Sequence, residues 1–92
     1  MDRRYRNCIG PEVRELRKAR VLTQEQLAAK LQLAGLHSID RVGIAKIETQ
    51  IRSVFDYELA VIAQVMGVEL ADLIPSPERL KRDLGSLIGG KR

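Results

Sequence analysis

Apolar residues in this chain recur at helical spacing in short blocks, each closed by a capping or breaking residue. The clearest block is Phe55, Leu59, Ile62, Ala63 and Met66, at i, i+4, i+7, i+8 and i+11. No segment alternates convincingly with period two, so a β-sheet has no half-buried strand to build on and the chain is expected to be all-α. Residue types agree with that. Hydrophobic residues make up 45% of the sequence, yet only Tyr5, Phe55 and Tyr57 are aromatic. Sandwich strands favour aromatic and β-branched residues, and proteins that stack nucleobases need more rings than three. Both classes are excluded, leaving a core of Leu, Ile, Val and Ala between short helices.

The punctuation places those helices. Gly10-Pro11 opens the first, with glycine as N-cap and proline in the first turn, where its missing N–H costs nothing. Val13 and Leu16 mark its inner face, and Arg14, Arg17, Lys18 and Arg20 crowd the rest. Thr23-Gln24-Glu25-Gln26 has the pattern of a capping box and starts a second helix with Leu27, Ala28 and Leu31 inward. A connector from Leu33 to Ser38 holds Gly35. Ser38 or Asp40 can cap a third helix, in which Ile44 and Ile47 face the core. The fourth is the Phe55–Met66 block, ended by Gly67 as a left-handed residue. Leu70, Leu73 and Ile74 make a short fifth, stopped by Pro75. Ser76-Pro77 opens a sixth, with Leu80, Leu84, Leu87 and Ile88 as one amphipathic stripe.

At 92 residues with a net charge of +4, the chain fits one small domain, and no separate effector-binding unit is expected within its 10.4 kDa. The small net charge conceals a pattern. Residues 1–20 carry seven basic and three acidic groups, and residues 21–52 carry four and three. Residues 53–75 carry none and four, and residues 76–92 five and two. A basic first half permits an anionic partner. A lone cysteine, Cys8, and a lone histidine, His37, cannot build a metal site or a catalytic set, so no metal, no cofactor and no enzyme activity are expected. The acids Glu12, Glu15, Glu25 and Asp40 are accounted for as groups at helix starts. No apolar run reaches the ~18 residues of a membrane span, and residues 1–7 lack the apolar stretch of a signal peptide, so a cytoplasmic protein without membrane contact is expected.

The stretch Leu22–Ile47, two short helices with facing apolar sides, has a helix-turn-helix layout. Here the sequence resembles the Cro/C1-type (XRE-like) helix-turn-helix regulators. The resemblance rests on an ordered series. It begins with Val13-Arg14-Glu15-Leu16-Arg17, Leu22-Thr23-Gln24-Glu25-Gln26-Leu27-Ala28 and Ile44-Ala45-Lys46-Ile47-Glu48. Glu58-Leu59, Ile62-Ala63, Met66-Gly67-Val68 and Leu73 complete it. It implies a five-helix lambda-repressor-like DNA-binding domain over residues 10–75, preceded by a basic arm (1–9) and followed by an additional amphipathic helix and tail (76–92).

What the resemblance implies for the site is specific. The helix around residues 40–49 would read the major groove of double-stranded DNA, with Arg41, Val42 and Lys46 at base edges. Arg and Lys can donate to guanine O6 and N7, and Val can meet a thymine methyl. Gln24, Thr49 and Arg52 would contact phosphate. Arg17 and Glu48 would form an internal ion pair with a structural role. The expected function is a sequence-specific transcriptional regulator, with repression as the expected sign, acting as a homodimer on half-sites about 34 Å apart. The alternative is an antitoxin or adaptor that binds a protein partner. The stripe Leu80, Leu84, Leu87 and Ile88 is the face either a second copy or such a partner would use.

Three departures from the family pattern stand out. The turn before the third helix is longer than the standard three or four residues, matching a branch of the family with an extended turn. Val21 and Gln50 occupy positions where many members have glycine, so the turns there are expected to differ. Gly43 lies inside the recognition helix at a cost of ~1 kcal/mol relative to Ala, and could let the backbone approach DNA closely.

Overall fold

The computed structural model describes residues 4–87. Among the described residues six α-helices follow one another: α1 (Gly10–Ala19), α2 (Gln24–Leu33), α3 (Arg41–Glu48), α4 (Asp56–Met66), α5 (Leu70–Leu73) and α6 (Pro77–Asp83). A 3-10 turn, Leu84–Ser86, ends the series. The fold is all-α, as the periodicity requires. Among the described residues the one β-type contact is an isolated parallel bridge between Tyr5 and Leu87. No single described helix is long and apolar enough to cross a membrane.

Each start is set by a local donor–acceptor match. Thr23 Oγ1 accepts the Gln26 N–H at 3.0 Å, and Gln26 Oε1 accepts the Thr23 N–H at 2.9 Å, so the box at α2 closes reciprocally. Asp40 caps α3 by accepting the Gly43 N–H at 2.8 Å, and Ser76 caps α6 from Arg79. At α1 the cap differs from the expected one. Gly10 is already helical, and Asn7 Oδ1 accepts the N–H groups of Ile9 and Gly10 at 3.1 and 2.9 Å. Gly10 is needed for space: a methyl there would run into the Ile47 carbonyl oxygen, so α1 begins hard against the end of α3.

The ends of α1, α2, α3 and α4 share one geometry, in which paired 6→1 and 5→2 hydrogen bonds satisfy the last carbonyls. Gly35 and Gly67 supply the left-handed residue at α2 and α4. At α1 and α3 the same position is held by Val21 (φ 54°) and Gln50 (φ 65°). The turns therefore do not differ, as the missing glycines had suggested; two L-residues are driven into the glycine conformation. For Val, branched at Cβ and almost fully exposed here, that costs about 1–2 kcal/mol.

Helix α3 lies against both α1 and α2, while α4 packs on α2 and carries α5, which reaches α1. Val13, Leu27, Leu31, Ile44, Ile47, Ile62, Met66 and Leu73 fill the space between them, each essentially without solvent contact. The turn between α2 and α3 spans residues 34–40 and is held by its own apolar anchors, because Leu36 and Ile39 are also buried. Each such burial stabilises the fold by roughly 1.5–3 kcal/mol. Extra length in this turn thus does not mean slack.

Three other expectations are corrected. Phe55 does not open the inner face of α4. It precedes the helix with an extended backbone, is 58% exposed and stacks on Tyr57 with ring centroids 5.6 Å apart. The inner row is Glu58, Ile62 and Met66, a carboxylate where an apolar residue was expected. The arm expected over residues 1–9 is bonded into the domain from Tyr5 onward, since buried Asn7 donates to the carbonyls of Ile47 (3.1 Å) and Arg52 (2.8 Å). The stripe Leu80–Leu84–Leu87–Ile88 is not one helical face. α6 stops at Asp83 ahead of Gly85, a poor helix former, Leu84 sits in the 3-10 turn, Leu87 is extended, and Ile88 lies outside the described residues.

Candidate nucleic-acid interface

Helix α3 divides cleanly into two faces. Gly43, Ile44, Ile47 and Glu48 are buried, which follows from the 3.6-residue period and the apolar contacts on both flanks. Arg41, Val42, Lys46 and Thr49 are exposed on the opposite side, with the small Ala45 half-buried among them. The three residues expected at base edges are therefore brought onto one outward stripe. Gly43 is not part of it. A methyl there would meet Ile39 Cγ2 at 3.2 Å and Asp40 Oδ1 at 3.3 Å, so this glycine serves the cap and the turn, not an approach to DNA.

Two carboxylates brace this helix, one at each flank. Glu48, buried on α3, accepts from Arg17 Nε at 2.7 Å, Arg17 Nη2 at 3.1 Å and Gln24 Nε2 at 3.1 Å. Arg17 Nη1 also donates to the Leu22 carbonyl at 2.7 Å. One fork thereby links α1, the turn after it, the start of α2 and α3. The hydrogen bond to Glu48 raises the Arg17 pKa, against the effect of burial. Gln24, expected at phosphate, has its amide nitrogen turned inward to Glu48.

The second brace was not anticipated. Arg52, also expected at phosphate, makes a two-pronged contact with Glu58 at 3.1 Å to each carboxylate oxygen. Its terminal nitrogens further donate to the carbonyls of Ser53 (2.9 Å) and Ser38 (3.3 Å). Glu58 is fully buried and takes two more donors, the Ser38 hydroxyl at 2.7 Å and the Phe55 N–H at 3.0 Å. Burial alone would raise the Glu58 pKa; the bonds from Arg52, the Phe55 backbone and Ser38 outweigh it and hold the carboxyl below its ordinary value. Arg52 is thus committed within the domain, and the turn before α3 is tied to α4 through Ser38. Arg52 and Glu58 are only six residues apart, but one lies in a loop and the other in a helix, so no regular spacing announces the pair; its link to Ser38 is made by the fold.

Thr49 donates its hydroxyl back to the Ala45 carbonyl at 2.9 Å, which leaves its oxygen lone pairs outward. Arg6, of the basic N-terminal segment, lines the same shallow depression as Val42, Lys46 and Arg52. Its backbone N–H donates to the Gln50 carbonyl at 2.8 Å, so the N-terminal segment passes beside the end of α3. Cys8 is half-buried, and burial pushes its thiol pKa up, away from the reactive thiolate. Among the described residues no group of His, Cys, Asp and Glu is placed to hold a metal.

This architecture recurs in solved structures. The restriction-modification controller protein C.AhdI from Aeromonas hydrophila is 32% identical over 72% of this chain and 87% of its own, with a TM-score of 0.62. The chain belongs to the Cro/C1-type helix-turn-helix family. Members alike in fold include the DNA-binding domain of BldD, 25% identical over 77% of this chain and 94% of that one, at a TM-score of 0.64. A hypothetical transcription factor, NHTF from Neisseria, is 26% identical over 85% and 84%, at 0.63. No family model and no curated protein sequence matches the chain. The family is one of regulators, and the protein is not an enzyme.

Proposed function

We propose that this protein is a sequence-specific regulator of transcription that binds double-stranded DNA with α3 in the major groove. The observation that carries this reading is the single outward stripe of α3, Arg41, Val42 and Lys46, on a helix whose other face is locked into the core. Arg41 and Lys46 are suited to guanine acceptors and Val42 to a thymine methyl. Thr49 would turn its hydroxyl from the Ala45 carbonyl and donate it to the sugar-phosphate backbone. Gln24 would approach phosphate from the first turn of α2, where free N–H groups favour anions, with its amide nitrogen retained by Glu48. Arg52 is left out of the phosphate set because its terminal nitrogens are occupied.

The protein works as a homodimer in this reading, since two half-sites multiply affinity and set spacing. Leu70 and Ile74, exposed and apolar at the short α5, are the surface offered to a second copy. Covering its site would make it a repressor. The reading through a protein partner is not favoured, because the stripe it needed is broken at Asp83 and Leu87 is extended, its backbone bridged to Tyr5.

Selection of bound sequences from a random duplex library tests the proposal. Wild type should enrich a two-fold site, and Lys46→Ala should relax one position at a cost of ~1–3 kcal/mol. Selection without enrichment, or enrichment that Lys46→Ala leaves unchanged, removes the reading. Sedimentation with and without the selected duplex tests the dimer.

A further inference from the structure

The depression beside α3 is lined by three cations, Arg6, Lys46 and Arg52, but they are not equivalent. Arg52 is held by Glu58 and two carbonyls. Arg6 and Lys46 are exposed, and neither side chain enters an ion pair among the described residues. The carboxylate of Asp40 also lines the depression, with Oδ1 held by the Gly43 N–H as the cap of α3, so the positive charge available to an anion there is that of Arg6 and Lys46 set against this one acid.

Arg6 is anchored on both sides. After it, Asn7 is buried and bonded to Ile47 and Arg52, and Gln50 Nε2 donates back to the Asn7 carbonyl at 3.0 Å. Before it, the Tyr5 N–H donates to the Ser86 carbonyl at 2.7 Å within the parallel bridge to Leu87. The segment after α6 thus clips the N-terminal segment in place, and the Arg6 N–H closes onto Gln50 between the two anchors. A backbone fixed on both sides loses less conformational entropy when its side chain takes a ligand.

We propose that Arg6 is a further phosphate-contacting residue of the α3 surface, positioned by the pairing of Tyr5 with Ser86 and Leu87. The proposal rests on the DNA-binding reading above. It assigns the C-terminal segment an indirect role, as a clip that sets how strongly the N-terminal segment grips the duplex.

The test uses the full-length protein and a mixed-sequence duplex, because phosphate contacts report on any sequence. Arg6→Gln should lower the slope of log affinity against log salt by about 0.9, shrinking the wild-type advantage about threefold between about 50 and 200 mM salt. Arg6→Lys should restore the slope. Tyr5→Pro, which removes the N–H and keeps the charge, should weaken binding a few-fold more than Tyr5→Ala. The effect of Arg6→Gln should then shrink in the Tyr5→Pro background. Thermal melts check that all variants fold, and the Tyr5 amide of the wild type should exchange slowly.

Failures separate. If Lys46→Gln lowers the slope and Arg6→Gln does not, the role of Arg6 is overturned while DNA binding stands. If neither moves it, the DNA-binding reading falls as well. If Arg6→Gln acts equally with and without Tyr5→Pro, or the Tyr5 amide exchanges fast, the clip is overturned.

Discussion

Two arginine–glutamate forks brace α3, and their contrast shows how similar chemistry is used for different ends. In Arg17–Glu48 the carboxylate sits on α3 itself, and its third donor is Gln24, a side chain at the start of α2. In Arg52–Glu58 the carboxylate sits on α4, outside the helix-turn-helix, and its further donors are the Ser38 hydroxyl and the Phe55 backbone. The first fork sets the angle between the two helices of the motif. The second anchors the long turn that leads into α3 and stops that turn from behaving as a loop. Both are fully satisfied: among the described residues no buried side-chain nitrogen or oxygen lacks a partner. That completeness makes a buried carboxylate tolerable, and removal of one partner costly.

Breaking the second fork should have the largest effect. Glu58→Ala leaves Ser38, Phe55 and a largely buried Arg52 without their acceptor, and should cost about 3–4 kcal/mol in denaturant or thermal melts. Arg52 retains some access to water, which keeps the figure from rising further. Glu48→Ala removes an acceptor from three donors instead of four and should cost less, about 2–3 kcal/mol. For a domain of this size each kcal/mol is about 4–8 °C in Tm. If Glu48→Ala proves the more damaging, the second brace is the secondary one.

Acid separates the same carboxylate without a cavity. The folded pKa of Glu58 lies below its ordinary value of about 4.5, so its contribution to stability is complete above that pH. It is lost as pH falls through the folded value. Wild type should therefore lose stability on acidification below about pH 4.5 more steeply than Glu58→Gln; parallel curves would show that the fork does not favour the ionised form.

Arg52→Gln tests whether the second fork touches DNA. It should lower stability by about 1–3 kcal/mol yet leave the salt slope of DNA binding as in wild type, whereas Lys46→Gln should lower the slope by about 0.9 with little change in Tm. A reduced slope for Arg52→Gln would return that residue to the phosphate set. The smallest effect concerns the turn that feeds the first fork. Val21 is strained at φ 54° one residue before Leu22, whose carbonyl Arg17 holds. Val21→Gly should stabilise the protein by about 1 kcal/mol, measured as a raised Tm with binding unchanged.

The forks also mark the limit of what local pattern can reveal. Arg17–Glu48 is legible through the family resemblance, because its motifs stand in order along the chain. Arg52–Glu58 is not, and the resemblance points Arg52 to phosphate instead. Glu58 sits in the first turn of α4, where an acid is expected for the helix dipole and capping alone, and an exposed Phe55 had seemed the better core residue. Likewise Asn7 had no local signal, since its partners Ile47 and Arg52 are distant in sequence. Ser38 and Asp40 looked equivalent as caps; Asp40 caps α3, and Ser38 is drawn away to Glu58.

The sequence by itself determined the all-α class, the starts of α2 and α6 and the stop of α4. These depend on hydrogen bonds and apolar repeats within a few residues of one another, so composition and spacing carry them. It also set which side of α3 faces out, through the period of Ile44 and Ile47. Tertiary structure alone decided which cations remain free. An arginine in sequence is only a charge, and whether it meets an anion outside or a carboxylate inside depends on what packing brings within about 3 Å of its fork. That choice committed Arg52 to the fold and left Arg6 and Lys46 exposed beside α3.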